Sequence, residues 1–436
     1  MSKERVQGNT TMLLGTAKAG INPPASVQYV TYKNEQPYTG VESDFFVRAA
    51  VFGDPATGRP AAALAVIDTL YAHYDQVAEI RQRAAAAIPG LAPGAIMVSS
   101  THTHSAPPLH PFDASQGGWP GRFAVDFRPR EGRAILDPLP QHVENVKAGA
   151  VKALVEAWSA RGEVAARIGQ GEAWLGHSRR VVGPDGKATN DWVDPEGKHT
   201  GYFDPRVRFV VFEDIRGGRV RAMLVGYGCH PVTIGPRAKK PSPDYPGHFV
   251  RALEAATGCA TAIHITTGGA DANPRVGLSA TPEPAAAMGT ALAKTVLDAL
   301  PAAKPLSLSP VASGCQGVEF RLHNHMGLGP RELVGGRPEA AQGKVVTEVQ
   351  AIRLGDLALV SAPGELFAAL GVAVEKVSPL PHTIAVGHAN DAIGYIFPDA
   401  VVKEGGYEVL HGSCSEDLEK PYLSAAAKAI RETMGR

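Results

Sequence analysis

The sequence predicts an α/β fold: one large domain with mixed β-sheets covered by helices and an active site at strand ends. Three observations carry this expectation. Short apolar, β-rich runs alternate with runs of helical period along the whole chain, the pattern of sheet and helix layers. No break in composition marks a linker, so residues 1–436 read as one domain, long enough to bury a sizeable core. Polar groups recur where apolar strands run out, and in α/β sheets that is where ligands gather.

The elements follow in order. "RPAAALAVIDTL" (59–70) reads as a buried strand, and Val77, Ile80, Ala84, Ala87 and Ile88 then fall at helical spacing before Pro89-Gly90 stops the helix. "GAIMVSS" (94–100) is the next strand and runs straight into "THTH". The stretch 107–140 is rich in Gly and Pro and reads as a long loop, inserted as a binding loop or lid. "LPQHVENVKAGAVKALVEAW" reads as a helix. "VRFVVFED" (207–214) and "VRAMLVGYGCHPVTIG" (220–235) read as a strand pair around "IRGG". "ATAIHITTGGADANPR" is a strand opening into a glycine turn, and "PEPAAAMGTALAKTVLDALPA" is a helix. "LSLSPVASGCQGVEFRL", "VTEVQAIRLGDLALVSAPGELF" and "HTIAVGHANDAIGY" are strand candidates, and "EKPYLSAAAKAIRETMG" is a closing helix.

Composition narrows the function classes. Lys+Arg and Asp+Glu balance at 43 each, so nothing recommends nucleic acid or an anionic membrane as partner. Cys229, Cys259, Cys315 and Cys414 lie far apart with no CxxC pair, which argues against a disulfide framework or a zinc knuckle. No 18-residue apolar run and no signal-type segment occurs, so a soluble, cytoplasmic protein without integral membrane association is expected. Homo-oligomerisation is compatible with all of this.

One grammar repeats: an apolar strand, then a polar group at its exit. His102 and His104 follow "IMVSST", His230 follows "MLVGYGC", Asp271 and Asn273 follow "IHITTGGA", and Glu365 follows "LALVSAPG". On a strand, alternation would point His102 and His104 to one face, as a metal ligand beside a second imidazole that bonds the reacting group. With 15 histidines in the chain, about half an HxH arises by chance, so the doublet alone says little. Each of the others also has a bland reading, such as Glu365 in the first turn of a helix. Zinc, however, takes three or four N/O ligands and, in catalysis, an open position, which groups from separate strand ends would supply.

Together these stretches resemble the neutral ceramidase family, zinc-dependent amidases that cleave the N-acyl bond of ceramide. "AKAGINPP" is similar to the family's opening, "STHTHSAPP" to its GTHTHSGP segment, and "GYGCHPVTIG" to its second histidine motif. "GGADANPR" is similar to its GDxSPN-type turn and "SAPGELF" to its PGE motif. "VGHANDAIGYIFPDAVVKEGGYEV" is similar to its N-x-Y-x-x-Y segment followed by Tyr-Glu. Six motifs in order span most of the chain. The resemblance implies one zinc ion per chain, held by His102, His230, Glu365 and Tyr395, with His104 donating to a developing oxyanion. Arg179 in "GHSRRV" resembles the pocket arginine, with Ser178 where the family has asparagine. Asp68, ending "LAVID", matches an acidic position near the site.

Two departures shape the expectation. Asn273 stands where the family carries a serine, and asparagine cannot form an acyl-enzyme; Thr266 and Thr267, the nearest hydroxyls, have no evident base beside them. The chain also ends without the family's immunoglobulin-like domain, which questions long-chain ceramide as the substrate. The reading is a zinc-dependent hydrolase cleaving the C–N bond of a small-molecule N-acyl amide with metal-activated water. His104 and Arg179 would stabilise the oxyanion, and Asp68 or Asp271 would carry the proton to the leaving nitrogen. An esterase or lactonase using the same chemistry, and a non-catalytic metal-containing binding protein, are the alternatives.

Overall fold

The computed structural model describes residues 11–24, 40–107, 109, 140–235, 238, 240–323, 337–412, 414 and 417–435. Nearly all of the expected 107–140 loop lies outside them. The chain opens with β1 (Met12–Gly20), β2 (Phe46–Gly53) and β3 (Pro60–Ile67), an antiparallel meander. Helix α1 (Tyr74–Ala87) then carries the chain to β4 (Ile96–Ser100), parallel to β3. Next come α2 (Pro140–Ser159), β5 (Gly162–Glu172) and the short strands β6 (Gly176–Ser178), β7 (Arg180–Val182) and β8 (Ala188–Asn190). The expected hairpin is β9 (Arg206–Asp214) with β10 (Val220–Tyr227). Its second strand stops well short of residue 235, because Gly228 begins a turn packed against 268–269.

Helix α3 (Asp244–Thr257) returns the chain to β11 (Thr261–Thr266), parallel to β10. After β12 (Ala272–Pro274) come α4 (Glu283–Ala299) and β13 (Lys304–Leu306). A second sheet is built from β14 (Val311–Arg321), β15 (Lys344–Leu354), β16 (Leu357–Ser361) and, after β17 (Glu365–Leu366) and α5 (Ala368–Val377), β18 (His382–Val386). Thus "VTEVQAIRLGDLALVSAPGELF" is a hairpin, not one strand; the chain reverses at Gly355, whose φ of 60° suits glycine. The chain closes through β19 (Tyr395–Ile396), the short helices α6 (Val401–Glu404) and α7 (Tyr407–Leu410), and α8 (Glu419–Glu432).

The large sheet runs β11-β10-β9-β5-β1-β2-β3-β4, with β13 on β5; the small one runs β14-β15-β16-β18. Side-chain alternation assigns the faces. Ala50 and Phe52 of β2 and Val210 and Phe212 of β9 meet Leu357, Leu359, Ile384 and Val386 of the small sheet in one core. Their neighbours Val47, Ala49 and Val51 pack under α1 and α2, and Phe209 and Val211 under α3 and α4. The outer face of the small sheet is covered by α5 and α8. The layers are therefore helices, sheet, sheet, helices, as the sequence predicts. Each large apolar side chain buried between them contributes about 1.5–3 kcal/mol.

The parallel pairs β3–β4, β10–β11 and β16–β18 end at one edge, where the sheets are stitched together. Gly387 N–H donates to the Thr266 carbonyl at 2.8 Å, and Gly269 N–H to the Leu366 carbonyl at 2.8 Å. Glycine is required at this seam. A Cβ on Gly228 would lie 2.0 Å from the Gly268 oxygen, and one on Gly269 would lie 2.3 Å from the Gly228 carbonyl carbon. Among the described residues, no helix is long and apolar enough to cross a membrane.

Candidate metal centre

The histidine doublet converges, but not by strand alternation. Strand β4 ends at Ser100, and His102 follows in a left-handed backbone conformation, φ 64°. That turn, uncommon outside glycine, brings the His102 and His104 ring centroids to 4.8 Å at 90°. The His102 Nδ1–H donates to the Leu70 carbonyl at 2.9 Å, so Nε2 carries the free lone pair. It faces His104 Nε2 at 3.2 Å and Glu365 Oε2 at 3.5 Å.

His230 is prepared in the same way from a different strand. It follows β10, and its Nδ1–H is shared between the Gly269 and Ala272 carbonyls, each at 3.2 Å. Its Nε2 meets Glu365 Oε2 at 3.2 Å. Glu365 and Tyr395 are direct register partners in the parallel β17–β19 pair, so both side chains leave on one side. His102, His230, Glu365 and Tyr395 are all buried.

One carboxylate and three imidazoles share this cluster. Burial disfavours charge on Glu365, but His102 and His230 outweigh it and hold the carboxyl well below its usual range. Burial pushes His230 down to about 4 and His104 well below its ordinary value. The Nε2 atoms of His102 and His230 lie 3.5 and 3.2 Å from Glu365 Oε2. Ligand nitrogens of His102, His104 and His230 lie within 4.8 Å of one another. Imidazole nitrogens fixed by carbonyls on their far side, with carboxylate and phenol oxygens, make a donor set that fits zinc.

Arg179 lies in the wall beside this cluster. Its Nη2 donates to the Tyr395 hydroxyl at 3.1 Å and its Nη1 to Asn273 Oδ1 at 3.3 Å. The guanidinium sits among the rings of Trp192, Tyr395 and Tyr407, at 5.3–5.8 Å. Asn273 is held in turn by its Nδ2, which donates to the Trp192 carbonyl at 3.0 Å. Ser178 is buried on β6, opposite Ala272 of β12.

The two candidate acids are tied into the walls. Asp68 accepts from Phe46 N–H at 2.9 Å and from Arg48 at 3.3 Å, and burial raises its pKa. Asp271 Oδ1 accepts the Ala368 N–H at 2.9 Å, and burial pushes its carboxyl up to about 6. Its backbone carbonyl also accepts the Arg179 N–H at 2.8 Å. The Thr266 hydroxyl donates to the Thr101 carbonyl at 3.1 Å and is not poised for attack.

Sequence reasoning missed Trp192, Glu408 and His388. Glu408 accepts from Arg179 Nε at 2.8 Å, Arg180 Nη1 at 2.6 Å and Asn190 Nδ2 at 2.9 Å. The Tyr-Glu pair at 407–408 was a signal that it belonged to the site. Nothing local marked His388, whose ring stacks on His102 with centroids 3.8 Å apart and planes 11° from parallel.

No protein-family model matches the chain, and no curated protein matches it by sequence. Solved structures do. The neutral ceramidase from Pseudomonas aeruginosa superposes with a TM-score of 0.75 at 16% identity, over 98% of this chain and 75% of that one. A ceramidase complexed with C2 gives the same TM-score and identity, over 98% of this chain and 76% of its own. The fold that the sequence motifs implied is thus borne out: this chain has the neutral ceramidase fold.

Proposed function

We propose that the protein is a zinc-dependent hydrolase of an amide C–N bond, with an N-acyl amide as substrate. The observation that carries this is the convergence of His102 Nε2, His230 Nε2 and Glu365 Oε2, with both imidazole Nδ1–H groups committed to carbonyls. His102, His230, Glu365 and Tyr395 would hold the ion. When bound, zinc supplies Lewis-acid polarisation of a carbonyl and lowers the pKa of water to about 7. The ceramidase identity of the solved structures that share the fold supports an amide rather than another acyl substrate.

The chain's own residues supply the rest. His104, neutral and half-buried beside His102, donates to the oxyanion as the carbonyl becomes tetrahedral. Arg179, fixed by Glu408, directs its two Nη groups at Tyr395 and Asn273 and adds positive charge on the same side. Asn273 orients the acyl group through its amide and forms no covalent bond to it. Asp271, on the turn that carries Asn273, delivers the proton to the leaving nitrogen; its raised pKa leaves a protonated fraction near neutrality.

The test is turnover of a panel of N-acyl amides and matched esters by purified protein, before and after chelation and after zinc is restored. Amide hydrolysis that is lost with the metal and regained with zinc supports the reading. Turnover of esters alone moves the enzyme to the esterase class, and a zinc-loaded protein inert towards both is a binding protein.

A further inference from the structure

The proposed ion depends on how His102 is aimed, and one of its contacts belongs to no donor set. His102 and His388 are both non-glycine residues in the left-handed region, at φ 64° and 51°. They come from different sheets, His102 after β4 and His388 after β18. Backbone bonds hold both in place: Ser100 N–H donates to the His388 carbonyl at 3.2 Å, and His388 N–H to the Gly364 carbonyl at 3.0 Å. Residues 99 and 389 form a bridge between the two sheets at the same point. The rings stack at 3.8 Å and 11°, and His388 is buried. Left-handed backbone at two facing buried non-glycine residues is unfavourable and persists only where the surroundings over-determine it.

The Leu70 hydrogen bond fixes where the His102 Nδ1–H points, but it leaves the ring free to tilt about that direction. A parallel ring at van der Waals distance removes the tilt. Together, one bond along the edge and one ring on the face define the direction of the Nε2 lone pair.

Resting on the zinc reading above, we infer that His388 is a positioning residue for the metal centre: its ring, by stacking on His102, sets the orientation of that ligand, and it does so as a flat face rather than as a donor. His388 lies outside the group of histidines whose nitrogens cluster within 4.8 Å.

The experiment compares His388→Phe with His388→Asn in the full-length protein. Phenylalanine keeps a flat ring and loses the nitrogens; asparagine loses the ring but tolerates left-handed backbone better than phenylalanine does. Backbone strain therefore works against the expected result. Zinc affinity is measured by competition with a chromophoric chelator, and the visible spectrum of the cobalt-substituted protein reports ligand geometry. His388→Phe should bind zinc like the wild type with an unchanged cobalt spectrum, while His388→Asn weakens binding by about 10- to 100-fold and alters the spectrum. Equal affinities in all three proteins would overturn the inference. Loss in both variants would overturn it too, since a flat ring at this position would then not suffice to aim His102. A wild-type protein that binds no zinc would remove the proposed function itself, a failure read before any variant is made.

Discussion

Glu408 Oε1 receives Arg179 Nε at 2.8 Å, with the acid fully buried and the arginine nearly so. The other oxygen takes Arg180 Nη1 at 2.6 Å. One carboxylate thus anchors two arginines, and the charges of the three, held well inside the protein, depend on one another. Burial raises the Glu408 pKa, yet the two guanidiniums outweigh it and keep the acid ionised.

Removing that carboxylate should strand the buried Arg179 without an acid and leave Arg180 with Glu404 alone, at 3.0 Å. Glu408→Ala is expected to cost about 3–5 kcal/mol of stability, the usual result of taking one partner from a buried pair. Denaturant unfolding of the two proteins measures it. An alanine variant as stable as the wild type would mean that solvent reaches these arginines.

About one zinc per chain is expected in protein purified without added metal, by elemental analysis. His102→Ala and His230→Ala should lose metal and turnover together. His104→Ala should keep the metal and lose about 10²–10³ in rate, as for an oxyanion donor. Because His104 Nε2 stands only 3.2 Å from His102 Nε2, a metal-free His104→Ala protein would reassign it as a ligand.

Asn273→Ala should retain measurable hydrolysis, reduced by roughly 10- to 1000-fold through loss of orientation. No acyl-enzyme should accumulate, because asparagine cannot carry one and the Thr266 hydroxyl is engaged with the Thr101 carbonyl. Mass spectrometry of quenched reactions reads this directly. A covalent acyl adduct on any side chain would refute hydrolysis by water alone.

His264 sets an acid limit on stability. Its ring packs at 5.9 Å from both Tyr245 and Phe249, and neither nitrogen has a partner. Burial pushes its pKa from 6.5 down to about 3. The folded pKa is depressed, so the stability this neutral ring contributes is present above pH 6.5 and is lost as pH falls from there towards 3. His264→Phe should remove that slope, about 1.4 kcal/mol per pH unit, and gain stability at neutral pH by eliminating two unsatisfied atoms. Unfolding of both proteins across pH 4–8 tests it; parallel pH profiles would refute the assignment.

The sequence made some of this legible and hid the rest for physical reasons. Glu365, His230 and Asn273 were visible because each follows a strong apolar run, and such runs do end at one edge of the sheets. The His102–His104 doublet was found for the wrong geometric reason: the strand stops at Ser100, and a left-handed residue that no propensity predicts turns the rings together. Strands β1 and β2 and helices α3 and α5 went unassigned; they have few strong boundary signals, and α5 (Ala368–Val377) is apolar on most sides. His388 could not be found, since its importance lies in a contact between two sheets far apart in sequence. The Leu354–Leu357 reversal was hidden by an apolar pattern that continues through the turn.

The donors facing the centre are divided between the two sheets. His102 and His230 leave the large sheet, while Glu365 and Tyr395 leave connections of the small one. An ion held by all four would therefore rivet the sheets, and its affinity would be a measure of their docking. By mass action, free zinc at a thousand times its dissociation constant would hold the rivet closed by about 4 kcal/mol. During synthesis the two histidines emerge long before the glutamate and the tyrosine, so a nascent chain can carry half a site but no centre. On the zinc reading, the complete donor set would form only with the finished fold.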